Sequence, residues 1–145
     1  MPQKNNGGHD FNYIVMGDKE IPRNKKSKWK IEINKDISGR WTDLYIGIGP
    51  INPKGSLYPD YWSFVCSEST LRIKGNSPSY NNLKGKLKKG DIAEVIVDRK
   101  LGNLFFSING VNYGIACSNI PKEESLYPTI IIYKQNYTVE LINDS

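Results

Sequence analysis

"GDIAEVIVDRKLGNLFFSINGVNYGIA", Gly90 to Ala116, decides how this chain folds. The runs "DIAEVIVD" (91–98) and "NLFFSIN" (103–109) are each rich in β-branched and aromatic residues at a spacing of two, the mark of strands with one buried face. Between them Asp98 to Gly102 reads as a hairpin loop, with the Asp98 side chain capping its own turn and Gly102 left-handed. Asn109-Gly110 then separates the second run from "VNYGIAC" (111–117). Asn-Gly between alternating runs is the strongest short hairpin signal, because a type I′ turn needs positive φ at both central residues. The stretch therefore predicts three consecutive antiparallel strands.

The same grammar extends in both directions. "FNYIVM" (11–16), "KWKIEIN" (28–34), "DLYIGIG" (43–49), "YWSFVCS" (61–67), "TLRIKG" (70–75), "PTIIIY" (128–133) and "YTVELI" (137–142) read as further strands between turn signals. No stretch reads as a helix. Strands at this spacing predict an all-β fold, a two-sheet antiparallel β-sandwich. Trp29, Ile31, Ile33, Ile46, Ile48, Val95, Val97, Leu104, Phe106, Ile108, Ile131 and Val139 are its expected core, and Gly47 and Gly49 invite a close neighbour or a bulge. Residues 1–10 read as a loose leader and 11–145 as one domain. A chain of 145 residues is long enough to bury one core without staples. The two cysteines, Cys66 and Cys117, sit in apolar runs and are expected to be reduced core thiols. The first ten residues lack the apolar run of a signal peptide, and no apolar run reaches the roughly 18 residues of a membrane span. The expectation is an intracellular protein, cytoplasmic with the nucleus as the alternative.

The opening stretch also poses a chemical question, since Glu94 and Asp98 share a strand face. Four residues of strand separate their Cα atoms by about 13 Å. A glycosidase pair needs carboxyl groups about 5–5.5 Å or about 6.5–9.5 Å apart. A glucanase-type sandwich would place a third carboxylate between them, and here Ile96 stands there. Asp98 is better read as a turn cap and Glu94 as a solvated residue or a partner of lysine. His9, in the leader, is the sole histidine, so neither a Ser-His nor a Cys-His pair is available to activate a nucleophile. No Cys/His cluster suits zinc and no acidic loop suits calcium. The expectation is no enzyme, no cofactor and no metal site. The net charge is +5, carried by lysines gathered in "RNKKSKWK" (23–30) and "KGKLKKG" (84–90). Trp29 is in phase with Ile31 and Ile33, which favours the core over stacking on a base.

The residues of the opening stretch resemble the SPRY domain, a β-sandwich of ubiquitin-ligase adaptors, Ran-binding proteins, ryanodine receptors and chromatin proteins. "WKIEI" (29–33), "YIGIG" (45–49), Trp62, "KGDIAEVIVD" (89–98), "GNLFFSING" (102–110), "YGIA" (113–116) and "LYPTI" (126–130) follow in that family's order, over about residues 11–142. Glu32 sits one place later than the Glu usual after the family's Trp, and no separate PRY segment precedes Trp29. The resemblance implies a monomeric, non-catalytic module that binds a peptide or protein through loops at one end of the sandwich, as a substrate-recruiting domain of a larger protein or complex would. The expected partner-binding residues are Met16, Gly17 and Asp18, then Tyr58, Pro59 and Asp60 in "PINPKGSLYPD", and Lys134, Gln135 and Asn136 in the last hairpin turn. In SOCS-box relatives that turn supplies a Trp-Gly pair, where this chain has Lys134 and Gln135. Two other readings are weighed beside it: a carbohydrate-binding lectin-like sandwich, and a basic module for nucleic acid or another anionic polymer.

Overall fold

A computed structural model describes residues 13–33, 44–50, 61–67, 69–74, 76, 78, 80, 87–132 and 139–143. The expected leader, 1–10, lies outside them. Ten strands occur among the described residues: β1 (Tyr13–Met16), β2 (Lys26–Ile33), β3 (Leu44–Gly49), β4 (Trp62–Val65), β5 (Thr70–Ile73), β6 (Ile92–Asp98), β7 (Asn103–Ile108), β8 (Val111–Cys117), β9 (Tyr127–Ile132) and β10 (Val139–Asn143). Each falls on a run read as a strand above. They form two five-stranded sheets, ordered β1-β9-β3-β4-β5 and β10-β2-β6-β7-β8, with every pairing antiparallel.

Alternation drives the assembly. On β6, Ala93, Val95 and Val97 are buried while Ile92, Glu94, Ile96 and Asp98 are half exposed. On β2, Trp29, Ile31 and Ile33 are buried and Lys30 and Glu32 are not. These inward faces meet Ile46, Ile48, Phe64 and Leu71 of the other sheet in one core. An aromatic knot lies within it: the Phe64 and Phe106 centroids are 5.6 Å apart, and Tyr80 stands edge-on to Phe106 at 6.1 Å. The Tyr80 hydroxyl accepts from the Phe106 amide at 3.1 Å and donates to the Gly114 carbonyl. It thereby holds the edge strand β8 at its bulge, where Gly114 has φ +98°.

The expected core set is buried with two adjustments. Ile131 is buried on the other face of its sheet, in a small cluster with Tyr45, Tyr61 and Val65. The register explains this: Tyr45 pairs with Ile131, and Ile46 pairs with Ile130, so Ile130 is the one that reaches the core. Val139 pairs with Ile33 through the backbone, and its side chain lies outside the described residues. β3 is therefore buried on both faces. Gly47 and Gly49 make that possible. A Cβ on Gly47 would lie 1.9 Å from the Trp62 carbonyl oxygen, and one on Gly49 would lie 2.0 Å from the Tyr61 ring.

The hairpins follow the turn chemistry. Asn109 and Gly110 have φ +50° and +85°, as a type I′ turn requires. Asp98 Oδ1 accepts from the Leu101 amide at 3.1 Å, and Gly102 is left-handed at φ +78°. Cys66 is fully buried in the core, and Cys117 is half-buried against it.

Candidate interaction site

The registers give the sandwich two ends. Met16, Gly49, Trp62, Ile73 and Tyr127 mark one end of the first sheet. Lys26, Asp98 and Asn103 mark the same end of the second. Tyr13, Leu44, Val65 and Ile132 mark the other end, with Ile33 and Val139.

At the first end the chain leaves β1 at Gly17, whose amide donates to the Pro128 carbonyl at 2.9 Å. Its Cα lies close under the proline, since a Cβ there would meet the Pro128 ring at 3.1 Å. Four residues on, Ile21 turns inward to 3% exposure and its amide donates to the Leu126 carbonyl at 2.8 Å. Arg23 closes the segment, donating to Glu20 Oε2 at 2.7 Å and to Ser125 Oγ at 2.8 Å. The hydrogen bond from Arg23 holds the Glu20 carboxyl below the usual carboxylate range. Residues 17–23 are thus strapped along 125–128.

Arg99 anchors the strap from beneath. Its phase is that of Ala93, Val95 and Val97, so the strand alternation carries it inward, and it is fully buried. Its guanidinium donates to the carbonyls of Ile21 at 3.2 Å, Pro121 at 2.7 Å, Lys122 at 3.4 Å and Glu124 at 2.7 Å. Burial first, and Arg23 after it, push the group below arginine's ordinary range, while Glu20 and Glu124 pull the other way. Arginine starts so high that it remains a cation at neutral pH. One buried cation therefore gathers the carbonyls of two loops that the sheets alone would leave apart. In the sequence Arg99 reads as part of the Asp98–Gly102 hairpin loop. The signal was its place in the inward phase of β6.

Between the strap and β2 runs a groove of about 440 Å³. It is lined by Gly17 to Pro22 with Pro128 and by Lys25 to Trp29. Trp29 is 5% exposed, so its ring belongs to the core, while Lys25, Lys26 and Lys28 are exposed.

Two of the expected site residues, Gly17 and Asp18, line this groove. Met16 is the last residue of β1, paired with Thr129. Tyr58, Pro59 and Asp60 lie outside the described residues, in a connection whose two roots, Gly49 and Trp62, are at this same end. Lys134, Gln135 and Asn136 also lie outside them, and their flanking residues Ile132 and Val139 are at the opposite end. The structure does not bring the roots of that turn to the groove. The lysine run 23–30, which in the sequence reads as a separate basic cluster, borders the groove through Lys25, Lys26 and Lys28.

The carboxylates raised by the opening stretch are placed apart from any cleft chemistry. Asp98 caps its hairpin, and Glu94 lies across from Lys30 on the half-exposed face of β6. Among the described residues no three His, Cys, Asp or Glu side chains gather as metal ligands would. Among them, too, no helix is long and apolar enough to cross a membrane.

Two five-stranded antiparallel sheets, a filled core and a groove at one end define a β-sandwich. The sequence pattern of the SPRY domain matches residues 26–144, and the chain belongs to that family. The SPRY domain of human HERC1 superposes with a TM-score of 0.73 at 17% identity, over 91% of this chain and 82% of that one. Another human SPRY domain superposes with a TM-score of 0.70 at 15% identity, over 98% of this chain and 91% of that one. At such identities the likeness is one of fold. SPRY domains are in general non-catalytic protein-interaction modules.

Proposed function

We propose that this chain is a non-catalytic recognition module that grips a peptide or protein segment at the end of the sandwich bearing the groove. It would recruit that partner to a larger protein or complex. The observation that carries this reading is the strap at 17–23, held by Gly17, Ile21, Arg23 and the buried Arg99 against 121–128. A groove wall fixed in advance loses little conformational entropy on binding, which favours affinity. Loops on a rigid scaffold are also where recognition residues concentrate. Asp18 and, by the placement of their roots, Tyr58, Pro59 and Asp60 are the contacts. The expected contacts Lys134 to Asn136 are not drawn on in this reading, because their flanking residues Ile132 and Val139 are at the opposite end. The fully buried, unpaired Cys66 is compatible with a reducing, cytoplasmic setting.

The test is site-directed cross-linking. A photoreactive residue at Asp18 should capture a partner from the source cell, and one at Lys88 should not. Tyr58→Ala should weaken the captured interaction by about 1–2 kcal/mol with little change in melting temperature. Lys134→Glu should leave it unchanged. Capture from Lys88, or full-strength binding by Tyr58→Ala together with a loss in Lys134→Glu, would move the site to the other end.

A further inference from the structure

The groove suits one kind of chemical group, and this step rests on the reading just proposed. Its volume of about 440 Å³ falls in the range of small-ligand pockets, about 300–1,000 Å³, which suits a chain end better than a long extended segment. Ile21, Pro22, Pro128 and Trp29 give it an apolar lining. Trp29 adds a donor. Its ring lines the groove, and its Nε1 is buried without a hydrogen-bond partner. A buried N–H without an acceptor is costly, and a group seated in the groove can supply one.

Charge selects what that group is. Lys19, Lys25 and Lys26 are exposed residues of the lining. Among the described residues neither Lys25 nor Lys26 is paired with an acid. The acids of the lining are already engaged: Glu20 is held by Arg23, and Asp18 also has a partner. The site therefore joins an apolar surface to unmatched positive charge. Along the strand Lys26 stands about 10 Å from Trp29, a distance that the long lysine side chain can shorten. A group with an apolar side chain and a carboxylate on the same carbon answers both. In a polypeptide only the last residue carries a free carboxylate on the carbon that bears its side chain. Because Trp29 is buried in the core, it offers no open ring face for a nucleobase to stack on, which weighs against single-stranded nucleic acid.

We propose that this groove holds the free C-terminus of a partner polypeptide that ends in an apolar residue. The last side chain rests on Ile21 and Pro128, its α-carboxylate meets Lys25 and Lys26, and an oxygen of that chain end accepts from Trp29 Nε1. Capture of a terminal carboxylate selects the end of a segment over its middle, because no other backbone position carries that charge.

The probes are short fluorescein-labelled peptides, Gly-Ser-Gly-Ser followed by Leu, Phe or Val. Each is made as the free acid and as the C-terminal amide, and is titrated against the full chain by anisotropy. At least one free acid should bind, more weakly as salt rises from about 50 to about 500 mM. Its amide should bind at least about tenfold more weakly. Lys25→Ala/Lys26→Ala should weaken the free acid at least about fivefold, with the melting temperature retained. Lys88→Ala/Lys89→Ala, at the opposite end, should bind it as the parent does. The indole N–H resonance of Trp29, assigned through Trp29→Phe, should shift on saturation while that of Trp62 stays. No binding of any free acid, equal binding of the amide, an equal loss in the Lys88/Lys89 variant, or an unmoved Trp29 resonance would each overturn the proposal. Acetyl-leucine binding as tightly as the peptide would overturn it in favour of a small-molecule carboxylate. Tighter binding of polyphosphate or oligothymidine, lost in the Lys25/Lys26 variant, would overturn it in favour of an anionic polymer. If cross-linking from Asp18 captures a partner but no free acid binds, only the ligand chemistry falls. If capture comes from Lys88 instead, the interaction site falls with it.

Discussion

Arg99 shows how a single buried side chain can fasten two loops together. It lies at the end of an inward-facing strand phase that is otherwise aliphatic, and it is fully buried. A buried cation is costly unless its donors are matched, and here the carbonyls of Ile21, Pro121, Lys122 and Glu124 match Nη1 and Nη2 while Nε is left without a partner. Arg99→Met keeps the bulk and removes the donors, leaving those carbonyls without their partner. Each such loss costs about 1–3 kcal/mol. With two bonds at 2.7 Å at stake, the variant should lose on the order of 3 kcal/mol, read as a fall in melting temperature of roughly 10 °C. Arg99→Lys should recover only part of it, since an ammonium cannot present the planar fork. A melting temperature unchanged in both variants would mean the strap holds without Arg99. Cys66 makes the opposite case at the same scale. It is fully buried without any polar task, burial pushes its thiol up, and it acts as a small hydrophobe.

At the scale of elements, the hairpins are the best-determined parts. The β7–β8 turn is held three ways. Asn109 takes φ +50°, its Oδ1 accepts from the Ile92 amide at 2.8 Å, and its Nδ2 donates to Asp91 Oδ1 at 3.0 Å. The turn thereby ties the start of β6 to the end of β7. Asn109→Ala removes both side-chain bonds and places a residue with little tolerance for that conformation in the left-handed region. The expected loss is about 2 kcal/mol in denaturant unfolding. Asn109→Gly, which restores the backbone freedom alone, should fall between the two. If Asn109→Gly proved as damaging as Asn109→Ala, the side-chain bonds and not the turn conformation would dominate.

At the scale of the whole molecule, stability should follow the layers. β3 and β6 are central in their sheets, and β3 is buried on both faces. β5 and β8 are edges, and β8 carries exposed Val111 and Ile115. Native hydrogen exchange should therefore be slowest in β3 and β6 and fastest in β5 and β8, with the strap at 17–23 between them. Exchange in β6 as fast as in β8 would contradict the layering. The sequence alone determined the strands, the antiparallel hairpins and nearly all of the core. Those depend on period-two burial and on turn residues with particular φ, both written into neighbouring positions such as Val95, Val97, Asn109 and Gly110. Only the tertiary structure decided that Ile130 and not Ile131 reaches the core, because register is a relation between distant strands. Only it turned Arg99 from a turn residue into an anchor, since its carbonyl partners lie at positions 21 and 121–124. And only it made a groove of the β2 lysines, because the segment 17–22 lines the same groove as Lys25 to Trp29 although the two are joined only through the turn between them.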